Sequence, residues 1–419
     1  MNTPLHLVLA GAGHAHLTAM AAIPRFIKAG CRVTVVNPSH LHYYSGMGPG
    51  MLAGTYTPED IRFNVRNMVE SRSGTFVEEP VIRVDAGAKK LILASGKEIS
   101  YDICSFNIGS GVTNAPQADE EQGPEILPVK PIINLLAARD RIKELLARSD
   151  PSQAVPGEPA GPTELKQIGV VGGGPAGVEI AGNVQALVAS MDRLDTLRQP
   201  RGITAPPMPR EPRITLFAGS RMLGRFPQKV QELTRQSFRE RAIDIVEGAR
   251  VKEAAKGRVL LDNGREFPCQ LVFWASGVSP NPVFTESGLP IGGDGGLLVN
   301  EFLQSPEHPE LFGGGDCIHF APLPLDKVGV HAVRQNPLLV ENILAHIQGK
   351  PLTTYQARNE YLLLFNLGDG TAVMRHKRWI TRSRLAMKLK NFIDHRFMRR
   401  FQALEQGNKK GGVGTRVPG

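Results

Sequence analysis

The 419-residue chain has only four cysteines, Cys31, Cys104, Cys269 and Cys317, and no two of them form a CxxC or similar pair. That spacing gives no support to a zinc cluster or a disulfide framework, and it fits a reducing, cytoplasmic compartment. No apolar run reaches the roughly 18 residues that a membrane span requires. No basic stretch precedes the first apolar segment, Leu5–Ala10, which runs straight into a glycine loop and does not read as a secretory leader. Aromatic residues are sparse at 6%, whereas 45 glycines and 32 prolines point to an ordinary globular protein with many tight turns. At about 150 residues per domain, the length implies two to three domains.

The net charge of +9 is unevenly placed. From Arg375 to Gly419 there are 13 Lys and Arg against two acids, Asp394 and Glu405, so the rest of the chain is close to neutral. A neutral body with a basic end argues against a nucleic-acid surface and for a local contact with something anionic, such as membrane headgroups.

The chain does have glycine loops. An apolar strand ends in Gly11-Ala12-Gly13-His14-Ala15-His16, and a helical stretch and a second β-rich run, Cys31 to Asn37, follow. A strand, a glycine turn, a helix and a strand in that order predict a dinucleotide-binding unit. The first glycine permits the turn, and the second lets backbone N–H groups reach a pyrophosphate at a helix N-terminus. His16 stands where the third glycine is usual, and Asn37 stands where an acid would hold the ribose. A second strand, Gln167 to Val171, leads into Gly172-Gly173-Gly174-Pro175-Ala176-Gly177-Val178-Glu179, a complete GxGxxG. Two such loops in one chain suggest a tightly held flavin dinucleotide, FAD, and an exchangeable nicotinamide dinucleotide, NAD(P)H. Later strands ending at Gly109 and Gly111, and at Gly277, close the two units, which places the chain crossings near 112–116 and 278–282.

With Pro309 to Cys317, a late segment containing Gly315-Asp316, these motifs span roughly residues 5 to 345. The chain resembles the flavoproteins with two dinucleotide-binding domains, among them type II NADH dehydrogenases, sulfide:quinone oxidoreductases and pyridine nucleotide-disulfide oxidoreductases. The resemblance implies that Asp316 binds the flavin's ribityl chain. The loop Gly13-His14-Ala15-His16, the segment Tyr44 to Gly50 and the segment Lys327 to Gln335 are similar to the subgroup sometimes found fused to selenophosphate synthetase.

A disulfide reductase needs two thiols beside the flavin, yet His40 to Tyr56 holds none. Sulfide oxidoreductases also use paired cysteines, and Ser105 to Pro268 holds none. The remaining chemistry is hydride transfer from NAD(P)H to FAD, then electron delivery to an acceptor such as a quinone. A sulfide- or selenium-compound oxidoreductase and a non-catalytic flavin sensor are the alternatives. Glu179 projects toward the nicotinamide or serves as a favourable charge at the helix start. His331 and Gln335 share a helical face, and the resemblance to type II NADH dehydrogenases suggests that this face meets flavin and quinone. Lys327 adds a cation or is solvated. Ser220 and Arg221, after the strand Ile214 to Phe217, suit a 2′-phosphate and so favour NADPH. The pairs His14/His16 and His40/His42 lack the acids or cysteines of a metal site.

From Arg382 onward Leu385, Leu389, Phe392, Ile393, Phe397, Phe401 and Leu404 recur at helical steps among basic residues. This predicts an amphipathic helix lying on a membrane, on the protein's own body or on a homodimer partner. The expected fold is α/β: two Rossmann-like domains, an FAD-binding domain of residues 1–114 and 283–350 with an NAD(P)-binding domain of 115–282 inserted in it. A C-terminal segment, 351–419, carries the basic helix and ends in a disordered tail.

Overall fold

A computed structural model describes residues 3–112, 124–147, 167–198, 212–255, 257–358 and 360–406. The first expected crossing beyond Val112, most of the Pro- and Arg-rich insertion near 195–212 and the tail beyond Gln406 lie outside these residues.

Two five-stranded parallel sheets form the centre. The first is ordered Leu311–Gly313, Ile103–Phe106, Leu5–Ala10, Cys31–Asn37 and Thr75–Glu78. The second is ordered Glu125–Pro128, Leu271–Trp274, Gln167–Val171, Arg213–Phe217 and Ile243–Val246. Parallel strands with helices on both faces are apolar throughout rather than alternating, which is why Leu7 to Ala10 and Leu271 to Trp274 are buried in their entirety. Burying one such large apolar side chain contributes roughly 1.5–3 kcal/mol. The two α/β units are joined where Ser110–Val112 pairs antiparallel with Val278–Pro280, so the outgoing and returning chains run side by side.

After the helix Gly329–Ile347 comes an antiparallel meander of Leu363–Asn366, Ala372–His376 and Trp379–Ser383. Ser383 caps the C-terminal helix Arg384–Gln402 by accepting from the Ala386 N–H at 3.1 Å. The meander rests on the second unit: the Asp369 carboxylate accepts from Ser237 Oγ at 2.7 Å and from Arg382 at 2.8 Å. The helix rests on the first unit, with Gln402 donating to the carbonyls of Glu59 and Arg62, each at 3.0 Å. The C-terminal segment is therefore a strap across both units.

The apolar residues of this helix divide between two faces. Phe401 is buried and Phe397 is packed against Tyr44, with ring centroids 4.9 Å apart. Leu385, Leu389, Phe392 and Ile393 are exposed, Leu385 by 74% and Phe392 by 58%, and Trp379 beside them by 77%. The single stripe expected from the sequence is thus an inner face on the body and an outer face toward solvent. Among the described residues no helix is long and apolar enough to cross a membrane.

Candidate functional site

The first glycine loop is closed by steric necessity. Gly11 has φ +88°, and a Cβ there would lie 2.3 Å from the Asn107 carbonyl oxygen. A Cβ at Gly13 would lie 2.3 Å from Asn107 Oδ1, the atom that accepts from the Ala15 N–H at 2.9 Å. Where a third glycine is usual, His16 is fully buried, with Nδ1 2.5 Å from the Gly11 carbonyl oxygen and Nε2 2.8 Å from Ser105 Oγ. Burial pushes its pKa down to about 4, so a neutral ring ties loop to strand. Asn37 lines the cavity described next, but its Oδ1 accepts from the Ala12 N–H at 2.9 Å and its Nδ2 donates to the Ser39 carbonyl at 2.6 Å. It braces the loop instead of standing free to grip a ribose.

Beside this loop lies a cavity of about 530 Å³. Its walls include Gly11, Gly13, His14, Gly109, Lys130 and Asp316, and the start of the helix Gly329–Ile347. Gly111 does not line it, because it pairs with Ser279 in the crossover. Asp316 Oδ2 accepts from Lys130 Nζ and Ser110 Oγ, each at 3.0 Å. Burial acts to raise this carboxyl's pKa, but Lys130 and the hydroxyl outweigh it, and the group is held below its ordinary value. Gly315, at φ +77°, leaves room for Asn107: a Cβ there would lie 2.5 Å from Asn107 Nδ2. His14 and His42 also line the cavity, their rings edge to face at 5.1 Å. Burial lowers their pKa values to about 4 and about 3, and the Nε2 atom of each is buried with no partner. A Cβ at Gly109 meets nothing within 4 Å. Open glycine backbone, two unpartnered imidazole nitrogens and a carboxylate at a strand end fit a large polar cofactor such as a flavin dinucleotide. Among the described residues no group of three or more His, Cys, Asp or Glu could hold a metal.

The second loop is complete. Gly172 has φ +136°, and a Cβ there would lie 2.3 Å from the Ala275 carbonyl oxygen. A Cβ at Gly177 would lie 1.8 Å from the Gly172 carbonyl oxygen, whereas one at Gly174 meets no protein atom within 4 Å. Gly172 and Gly177 make the turn, and Gly174 leaves backbone open to a pyrophosphate. Gly277, at φ +68°, ends the neighbouring strand. Ser220 and Arg221 are exposed just past Arg213–Phe217, and the nearby Glu247 accepts from the Met222 N–H at 2.6 Å and from Arg235 at 2.5 Å.

Four residues expected at the reacting centre lie off the cavity wall. Glu179 accepts from the Asn366 N–H at 2.7 Å and belongs to a buried cluster with Tyr44, Lys390 and Asp394. Lys390 Nζ lies 2.6 Å from both Asp394 Oδ2 and the Gly46 carbonyl oxygen, and Tyr44 donates to Asp394 Oδ1 at 3.1 Å. Burial raises the Glu179 carboxyl to about 7, against the pull of Lys390. His331 and Gln335 share one helical face as their spacing requires, but Gly329 and Ala332 are what the helix turns to the large cavity. Gln335 Oε1 accepts from the Gly315 N–H at 2.7 Å, and His331 and Lys327 gather round a separate small pocket. Lys130 was not marked by the sequence: it follows a strand of the second sheet and reaches back to Asp316, a contact no local pattern announces.

All four cysteines are free and buried, and none lines the large cavity. Cys317 Sγ lies 3.4 Å from the Gly314 carbonyl oxygen, and burial pushes its thiol up to about 11. No thiolate is available to a ligand there.

Similar architectures carry names. A type II NADH:quinone oxidoreductase of Staphylococcus saprophyticus is 24% identical over 365 residues, which is 84% of each chain. The structure of NDH2 from Plasmodium falciparum in complex with NADH superposes with a TM-score of 0.77 at 14% identity, covering 97% of this chain and 98% of that one. The sulfide:quinone oxidoreductase of Aquifex aeolicus superposes with a TM-score of 0.72 at 19% identity, covering 96% and 92%. Three further relatives, a probable NADH dehydrogenase of Dictyostelium discoideum, an internal alternative NAD(P)H-ubiquinone oxidoreductase of Arabidopsis thaliana and a probable NADH-ubiquinone oxidoreductase of Schizosaccharomyces pombe, are spanned over 62%, 39% and 64% of their length. The family model described as pyridine nucleotide-disulphide oxidoreductase matches residues 5–357. With that match over both glycine loops and the Asp316 segment, the chain belongs to the pyridine nucleotide-disulphide oxidoreductase family.

Proposed function

We propose that the chain is an FAD-dependent NAD(P)H:quinone oxidoreductase that works without a redox-active thiol. The observation that carries this reading is a 530 Å³ cavity beside one dinucleotide loop, in a chain with a second complete loop and with no cysteine on the cavity wall. FAD belongs to residues 1–114 and 283–350, and NAD(P)H to 115–282. Bound there, the flavin supplies hydride acceptance and electron release. The chain's own groups place it. Asp316 accepts from ribityl hydroxyls, the open backbone at Gly109 lets the cofactor approach, and the N-terminus of the helix Gly329–Ile347 turns partial positive charge toward the ring. Glu179, held near neutrality, is an acid able to keep a proton at physiological pH between the second unit and the C-terminal strap.

Quinone as acceptor is carried over from the names of relatives. The first glycine loop with His14 and His16, the Tyr44 to Gly50 segment and the Lys327 to Gln335 segment support a likeness to the subgroup sometimes found fused to selenophosphate synthetase. Sulfide or selenium chemistry is the second reading, favoured by the likeness to a sulfide:quinone oxidoreductase fold and opposed by the buried thiols. Exposed Ser220 and Arg221 favour NADPH. Anaerobic mixing should bleach the flavin faster with NADPH than with NADH, and Arg221→Ala should raise KM for NADPH about tenfold, the loss of one charge-assisted contact. A flavin that neither nucleotide bleaches would leave only a binding or sensing role.

The outer face of the C-terminal helix suits a membrane surface. Leu385, Leu389, Phe392 and Ile393 are flanked by exposed Arg384, Lys388, Arg396, Arg399 and Arg400. Replacing the four apolar residues by serine should move the protein out of the pellet of anionic phospholipid vesicles while turnover of a water-soluble quinone persists. Unchanged sedimentation would contradict the assignment.

A further inference from the structure

Lys327, His331 and Gln335 attract attention in the sequence but do not face the large cavity. They line a second, smaller pocket of about 10 Å³, together with Asp294, Asp316 and Asp326. That volume holds about one water molecule. Asp316 lies on the wall of both spaces. Asp326 pairs with the exposed Arg225 at 2.9 Å, and Asp294 lies 2.8 Å from Lys327 Nζ and 3.1 Å from His319 Nδ1.

His331 is the group left over. It is only 4% exposed, and its Nδ1 is buried with no partner in the protein. Leaving a buried nitrogen without a partner is unfavourable, so a site built this way expects a ligand. Its neighbours are the Tyr361 ring, edge-on at 5.8 Å, and the charges of Arg334, Asp326 and Asp316. The two carboxylates oppose burial and Arg334, which together keep the ring neutral. A neutral imidazole carries one N–H and one lone pair, and so can take a proton at one nitrogen and release it from the other.

We propose that this pocket holds a single water against His331 Nδ1 and is the proton inlet of the flavin site, running from the surface at Asp326 to the Asp316 wall. The proposal rests on the oxidoreductase reading. That reaction, NAD(P)H plus quinone plus one proton giving NAD(P)⁺ plus hydroquinone, consumes a proton per turnover, and on the large cavity's wall the two charged groups, Asp316 and Lys130, are committed to each other in an ion pair.

The test uses the FAD-loaded protein. His331→Ala should leave bleaching by NADPH within about twofold of the parent but slow quinone turnover at least about tenfold, the scale of one lost proton relay. The loss should deepen as pH rises, the solvent isotope effect should grow, and added imidazole should restore turnover by filling the vacated space. A crystal structure should place an ordered water within hydrogen-bond distance of His331 Nδ1. Unchanged turnover, a loss that imidazole does not rescue, or a dry pocket would each overturn the proposal. If His331→Ala does not retain flavin, Asp326→Asn at the mouth replaces it, with the same slowing and isotope effect expected and parental turnover counting against the inlet. A parent protein that NADPH fails to bleach would instead defeat the oxidoreductase reading itself.

Discussion

Gly177→Ala is expected to leave the protein yellow and folded, yet unable to accept hydride at a useful rate. The added Cβ would lie 1.8 Å from the Gly172 carbonyl oxygen, a backbone atom that cannot swing aside. The turn must open, and the helix start that faces the pyrophosphate moves with it. A displacement of about 1 Å at a positioning element costs on the order of a hundredfold in rate. Flavin content should stay at the parental level, because the first loop and Asp316 belong to the other sheet. The control is Gly174→Ala, whose Cβ meets no protein atom: it should perturb nicotinamide binding without destabilising the fold. The check is anaerobic bleaching by NADPH alongside the flavin-to-protein ratio. Parental bleaching by Gly177→Ala would show that the second loop does not hold the reductant.

The second large effect concerns the strap. Lys390 and Asp394 are each 7% exposed at the side chain and 2.6 Å apart, with Glu179 close enough to be affected by both charges. Lys390→Met would strand Asp394 beside Glu179 in a dry junction, at a cost of about 3–5 kcal/mol. Replacing both, Lys390→Met with Asp394→Leu, removes the stranded charge, and most of the stability should return. Urea unfolding of the two variants checks this. Equal destabilisation of single and double variants would mean that packing, and not charge, holds the helix to Gly46 and Tyr44. Because the strap touches both units, the single variant should also slow flavin reduction, an effect distinct from loss of membrane binding.

The sequence carried the architecture because parallel, doubly covered strands leave a strong trace: continuous apolar runs ending in glycine. Gly11, Gly172 and Gly177 were legible for the same reason, since a side chain at each would collide with backbone. Asp316 was legible through resemblance, and its pairing with Lys130 follows from the fold. Three other features escaped because they depend on rotation or on distant contact. Spacing puts His331 and Gln335 on one face but cannot say which wall that face meets. The helix after Ser383 has apolar residues around more than half its circumference, and only the docked geometry separates Phe397 and Phe401 from Leu385 and Phe392. Glu179 is captured by Asn366, nearly two hundred residues downstream, a partner no local pattern contains.

Electrons that cross this protein through a flavin and not through sulfur leave a signature in one experiment. Under anaerobic conditions the purified protein is mixed with NADPH, then with a quinone, while flavin absorbance is followed and the thiols are counted after denaturation at each stage. Bleaching is expected on the first addition, with recovery of colour on the second and four free thiols throughout. A colourless protein, bleaching by sulfide with no nucleotide present, or two thiols appearing and disappearing with the cycle would contradict this route.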